Sequence, residues 1–202
     1  MKRLLSIALF SAFVLSGHSQ IVGWRVDRYI VERKIDTFLV YSFTCSGGIS
    51  LDSCQNEESH YLMWKRNDSF YLKRFDYCKI FKAVSLDTTN PLTFYLKNRK
   101  VIDKEEIKQP TYYEVKRRRN TIDTLITTST IDHSCYHTFR LPFTKNPKAK
   151  YADVYDLDLK TFDNGRKNIY YAYNQRTKFK ALIDQTTFLI NELKTKDKFV
   201  LE

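Results

Sequence analysis

The chain has 202 residues, with 34 basic and 23 acidic side chains and a formal net charge of +11. Its 43% apolar and 15% aromatic content can bury a sizeable core, so disorder is not the default. With 5 glycines and 4 prolines, it is neither collagen-like nor linker-rich. The positive balance favours anionic partners: an anionic surface, an acidic glycan or an acidic protein.

The chain begins with the layout of a secretory signal peptide. Met1-Lys2-Arg3 is a short basic start, Leu4 to Leu15 is a nearly unbroken apolar run, and Gly17-His18-Ser19 supplies small residues before Gln20. Cleavage is expected after Ser19. The run is too short for a mature membrane span, which needs roughly 20 apolar residues, and no second apolar span follows. Residues 1–19 are read as a signal peptide and 20–202 as one domain. Loss of Lys2 and Arg3 leaves a mature charge of +9. The Ser19–Gln20 junction resembles the cleavage sites of exported bacterial proteins; the resemblance covers only the signal region and implies no activity. A periplasmic or extracellular location follows, which makes nucleic acid an unlikely partner.

Cys45, Cys54, Cys78 and Cys135 form an even set, expected in an exported protein to make two disulfides. Four cysteines allow three connectivities. Cys45–Cys54 is the favoured short bridge, because it brackets the flexible Ser46-Gly47-Gly48. Cys78–Cys135 then staples distant parts of the chain.

In chain order, Gly23 to Lys34 is expected to form a short helix with Val26, Tyr29 and Ile30 on one side. Thr37 to Thr44 reads as a central strand, apolar on both faces, and Ser50 to Ser59 as a surface loop. Tyr61 to Phe75 is a predicted hairpin turning at Asn67-Asp68, which puts Met63 opposite Leu72 and Trp64 opposite Tyr71. Cys78 to Val84 reads as a further strand. Asn90-Pro91 carries an N-cap followed by proline at the first helical position, although Pro91 to Leu96 also suits a strand.

Thr111 to Val115, Thr121 to Thr130 and Ile131 to Phe143 alternate as strands do. Lys116-Arg117-Arg118-Arg119 lies between the first two, at a hairpin tip exposed to water. It is a candidate anion contact, weighed against the commoner role of a solvated charged face. Tyr151 to Asn174 is expected to be a hairpin turning at Asp163-Asn164-Gly165, with Leu159 facing Ile169, Leu157 facing Tyr171 and Tyr155 facing Tyr173. Phe179, Leu182, Ile183, Thr186, Leu189, Ile190 and Leu193 recur at helical spacing. The expected fold is therefore α+β: a mainly antiparallel sheet of about seven to nine strands, a C-terminal amphipathic helix packed on it and a short N-terminal helix.

The Asp132–His137 segment is the main chemical candidate. On a strand, His133, Cys135 and His137 share one face. Two imidazoles and a thiolate, helped by Asp132 or His60, suit copper or zinc. The same face runs on through Ile131, Phe139 and Leu141, as a core face would, and an oxidised Cys135 offers no thiolate. Tyr112-Tyr113 and Tyr170 to Tyr173 are candidate stacking surfaces. An outer-membrane barrel would need strands of about 9–11 residues with an apolar outer band, whereas most of these are shorter or charged on both faces. No nucleophile elbow, HExxH, CxxC or phosphate loop occurs. The leading expectation is an exported, non-catalytic binding or accessory protein with no cofactor. The alternative is a metal-binding protein or metal-dependent enzyme centred on Asp132–His137.

Overall fold

A computed structural model describes residues 17–46, 59–118, 121–141 and 149–202. The fold is α+β, as expected, and centres on a six-stranded antiparallel sheet. Its strands are β1 (Phe38–Cys45), β2 (Ser59–Arg66), β3 (Ser69–Asp76), β4 (Val84–Leu86), β7 (Cys135–Arg140) and β8 (Ala149–Asp153), in the order β4-β3-β2-β1-β7-β8. Among the described residues β5 (Thr111–Arg118) and β6 (Thr121–Thr128) pair only with each other, as a separate two-stranded ribbon. The helices are α1 (Gly17–Glu32), α2 (Pro91–Ile102), α3 (Val154–Asp158), α4 (Tyr171–Arg176) and α5 (Lys178–Thr195).

β1 lies between β2 and β7, so both of its edges are paired, and both of its faces are packed. On one face Leu39 and Tyr41 join Tyr61, Met63, Leu72 and Phe139 in a core capped by Leu92 and Tyr95 of α2 and by Phe179, Leu182, Ile183, Ile190 and Leu193 of α5. On the other face Val40, Leu62, Trp64 and Phe75 receive Val22, Val26 and Ile30 of α1. These three helical residues recur every fourth position and so fall on one stripe. Each such side chain contributes about 1.5–3 kcal/mol when fully buried.

The β2–β3 register pairs Met63 with Leu72 and Trp64 with Tyr71, and Asn67 at the turn takes the positive φ of 55° that asparagine tolerates. Asn90 caps α2 by accepting from the Thr93 amide at 3.1 Å, which settles Pro91–Ile102 as helix rather than strand.

Two expected elements are replaced. Cys78 to Val84 is not one strand. Asp76 and Lys79 close a turn, with the Asp76 amide donating to the Lys79 carbonyl at 2.9 Å, and Arg25 of α1 donates to the Tyr77 carbonyl at 2.7 Å. Phe81 then bridges to Leu201, and the Lys82 amide donates to Val200 at 2.8 Å. Ile80 itself bridges to Phe75 of β3, and the C-terminal residues pair along the other side of this segment.

The expected Tyr151–Asn174 hairpin is also absent. Gly165 does turn the chain with φ +78°, and the Phe162 amide donates to Arg166 at 2.9 Å. Only Thr161 and Lys167 form a bridge beyond it, and the expected partners lie in or beside α3 and α4. Asp153 caps α3 by accepting from the Tyr155 amide at 2.8 Å. Two buried asparagines take over the backbone bonding that a ladder would have supplied. The Asn168 carbonyl oxygen accepts from the amides of Thr111 (3.2 Å) and Tyr170 (3.0 Å), and its amide donates to Leu159 (2.9 Å). Asn174 accepts from the Lys108 amide (3.0 Å) and donates to the carbonyls of Lys108 (2.8 Å) and Asp156 (2.9 Å).

The disulfide pairing is corrected as well. Cys45 is bonded to Cys135, directly across the β1–β7 pair. This excludes both favoured pairings, Cys45–Cys54 and Cys78–Cys135. Cys78 is also disulfide-bonded; Cys54 lies outside the described residues, as do residues 50–58 of the expected loop and Arg119.

Candidate functional site

Three places are candidates for a site: the Asp132–His137 segment, the basic hairpin tip, and a cavity beside the start of α5. The structure separates the residues of the first. β7 begins at Cys135, so His133 and Asp132 lie before the strand, on exposed chain. Cys135 is committed to Cys45 and has no thiolate for a metal. His60 pairs with Ser42 and Phe75, whereas His137 pairs with Phe43, so the two imidazoles sit on opposite faces of the sheet.

His137 is held by aromatic neighbours. Its Nδ1 lies 2.8 Å from the Tyr41 hydroxyl, and its ring centroid is 4.9 Å from that of Phe43. Burial pushes the imidazole pKa down; among nearby charges, Asp158 and Asp184 oppose this and Lys180 adds to it. Among the described residues no group of three or more His, Cys, Asp or Glu side chains is placed to hold a metal ion.

The cavity, of about 420 Å³, is lined by Ile107, Leu141, Ala149 and Phe179 with Glu106 and Lys150 among its charged groups. Much of its polar chemistry is already engaged in structure. The Glu105 carboxylate accepts from the Phe179 amide at 2.8 Å, where a negative charge suits the helix N-terminus. Lys150 donates to the Glu105 carbonyl, and its ammonium lies 5.0 Å over the Phe179 ring. Burial pushes the Lys150 pKa down against the pull of Asp103, Glu106 and Glu105. These contacts pin α5 to β8 and to the segment after α2.

The β5–β6 ribbon is different. Its base is tied to the domain through the Ile169 amide to Thr111 (2.9 Å) and through a hydrogen bond between the Ser129 and Tyr155 hydroxyls (2.9 Å). Its register pairs Tyr113 with Ile126, Val115 with Thr124, and Arg117 with Ile122, which puts these six residues on one face. The opposite face carries Tyr112, Glu114 and Lys116, opposite Thr127, Leu125 and Asp123.

That opposite face is partly docked. The Tyr112 ring meets Phe162 edge-on at 4.7 Å, the Arg166 guanidinium lies 5.0 Å over Tyr112, and it pairs with Glu114 at 3.4 Å. Among the described residues the first face has no such cover: Tyr113, Val115, Ile122 and Ile126 are 54%, 57%, 70% and 66% exposed. Four large apolar side chains thus stand in water on one side of an arm about 27 Å long. Lys116 and Arg117 are exposed near its tip, and the strand ends at Arg118.

Sequence reading identified the basic tip but missed this stripe. The alternation was visible; whether the ribbon would join the main sheet was not. Of the proposed stacking tyrosines, Tyr112 is packed and Tyr113 is open, while Tyr170 and Tyr173 each lie 4.7 Å from the Lys108 ammonium.

Comparison of the chain with protein-family models, with curated proteins and with solved structures finds no match. No helix among the described residues is long and apolar enough to cross a membrane.

Proposed function

We propose an exported, non-catalytic binding or accessory protein of the bacterial periplasm or extracellular space, with the β5–β6 arm as its contact surface. The observation that carries this reading is the uncovered face of Tyr113, Val115, Ile122 and Ile126. Monomeric proteins rarely leave a large contiguous apolar patch in water, and those that do commonly use it for contact.

Export is supported by the basic, apolar and small-residue order of residues 1–19, and by a disulfide, which persists in oxidising compartments. Val22, Val26 and Ile30, the side chains that seat α1, all follow the Ser19–Gln20 junction. Cleavage there would leave that packing in place. An intact mass beginning at Gln20 after expression with the native signal would support this point, and an uncleaved chain would overturn it.

The contact surface is tested by photo-crosslinking in the native host. A crosslinker at position 126 should give an adduct, to lipid or to protein, and one at Phe188, similarly exposed on α5, should give none. Equal labelling from both positions would remove the arm from the reading. Catalytic turnover abolished by one substitution outside the arm would remove the non-catalytic assignment.

A further inference from the structure

We propose that the arm lays its uncovered face on an anionic lipid bilayer. This rests on the arm being the contact surface and names its partner. The register places Tyr113, Val115, Ile122 and Ile126 together with Arg117 and Thr124; no acidic side chain shares that face. The nearest carboxylates, Glu114 and Asp123, belong to the opposite face, and Glu114 is already paired with Arg166.

A ribbon face of β-branched residues and one tyrosine, with a cation at its end, matches the layers of a membrane interface. Valine and isoleucine enter the acyl boundary and tyrosine suits the headgroup level. Arginine and lysine near the surface meet anionic headgroups. Lys116 points from the other face, but its long apolar stem lets the ammonium reach the same level. The net charge of +9 that remains after loss of Lys2 and Arg3 draws the whole molecule toward such a surface.

An acidic protein partner would share the charge argument. The face, however, offers little hydrogen-bonding chemistry beyond Thr124, Arg117 and the Tyr113 hydroxyl, and a directional protein contact needs more than that. Face-to-face pairing with a second copy would bring two cationic molecules together with no carboxylate on the joined faces.

The test is co-sedimentation with vesicles of equal parts phosphatidylglycerol and phosphatidylcholine, beside vesicles of phosphatidylcholine alone. Binding should be confined to the anionic vesicles. It should weaken as the screening length shrinks from about 10 Å at 0.1 M salt to about 3 Å at 1 M. Lys116→Gln/Arg117→Gln should weaken it by roughly fivefold for each cation removed. Ile122→Ser/Ile126→Ser should weaken it at unchanged charge, and both proteins should keep the parent melting temperature because the altered side chains are exposed.

If the variants do not fold, an Ile126→Trp protein gives a second readout: anionic vesicles should shift its added emission to the blue, and no shift would overturn the proposal. Vesicle binding that survives both double variants would overturn the arm itself. No vesicle binding, with a partner adduct still formed from position 126, would overturn the bilayer and keep the arm. A dimer dispersed by Ile122→Ser/Ile126→Ser, without vesicle binding, would make a second copy the occupant.

Discussion

The ammonium of Lys73, 1% exposed in the middle of β3, donates to the carboxylate of Glu202, 129 residues further along the chain. The same ammonium lies 5.0 Å over the ring of Tyr29 and 5.6 Å over that of Phe75. A charge in the α1-facing layer is thus matched by two aromatic faces and by the C-terminal end of the chain. Burying the ammonium is expensive, whereas Glu202 is half in water, so the desolvation cost falls mainly on Lys73.

Removing the two partners should therefore have unequal effects. Glu202→Gln leaves a buried charge without its counterion and should cost about 1–2 kcal/mol, a value reduced by the exposure of Glu202. Lys73→Met removes the charge itself and should cost less than about 1 kcal/mol. Urea midpoints at constant slope measure both. Equal losses would mean that the pair contributes packing rather than charge compensation.

The Cys45–Cys135 bond spans 90 residues of sequence. A loop of that length, constrained in the unfolded chain, is worth about 4–5 kcal/mol by chain entropy, and observed gains are often smaller. Cys45→Ala/Cys135→Ala should lower stability by about 3–4 kcal/mol in guanidinium unfolding. Non-reducing peptide mapping should recover Cys45 joined to Cys135. A peptide joining Cys78 to Cys135 would contradict the β1–β7 register.

Asn174 is fully buried, and its amide holds Lys108 and Asp156 at three hydrogen bonds. Asn174→Ala strips partners from buried backbone groups and should cost about 3 kcal/mol. Asn174→Asp should cost more, since a carboxylate can only accept and two of the three facing groups are carbonyls. Thermal melts of the three proteins should fall in the order Asn, Ala, Asp; aspartate melting above alanine would refute the network.

His137 and Asp156 should pull stability in opposite directions with pH. Burial holds the His137 pKa below its ordinary value, so the unfolded chain takes the proton first and stability falls as pH drops below about 6.5. Asp156 is pushed up to about 6 from 3.8, chiefly by burial and then by Asp153. Here the folded state takes the proton first, so stability rises as pH falls through about 6 and the gain is complete below 3.8.

Between pH 7 and pH 5 the two slopes oppose. His137→Phe should leave a curve that rises toward acid, and Asp156→Asn one that falls. At pH 7, Asp156→Asn should also add about 1 kcal/mol, discounted because the group is only half-buried. Denaturant titrations across this range check both signs, and identical curves from the two variants would refute the assignment.

Local pattern determined much of this protein. The Tyr61–Phe75 hairpin, the Asn90-Pro91 helix start and the α5 stripe were legible because their signals lie within a few residues: cross-strand pairs, a cap, a period. The central place of β1 was legible because only a strand covered on both faces is apolar on both. Tertiary structure decided what depends on distant partners. Three apolar pairs around Gly165 suggested a hairpin, but Asn168 and Asn174 bond to chain about 60 residues away and stabilise helices there instead. Cysteine parity implied bridges, while only the β1–β7 register chose Cys135 for Cys45. The Thr111–Thr128 alternation was plain, yet the exposure of Tyr113, Val115, Ile122 and Ile126 was not. A strand's period says which side chains share a face; only the packing of the rest of the chain says whether that face is covered.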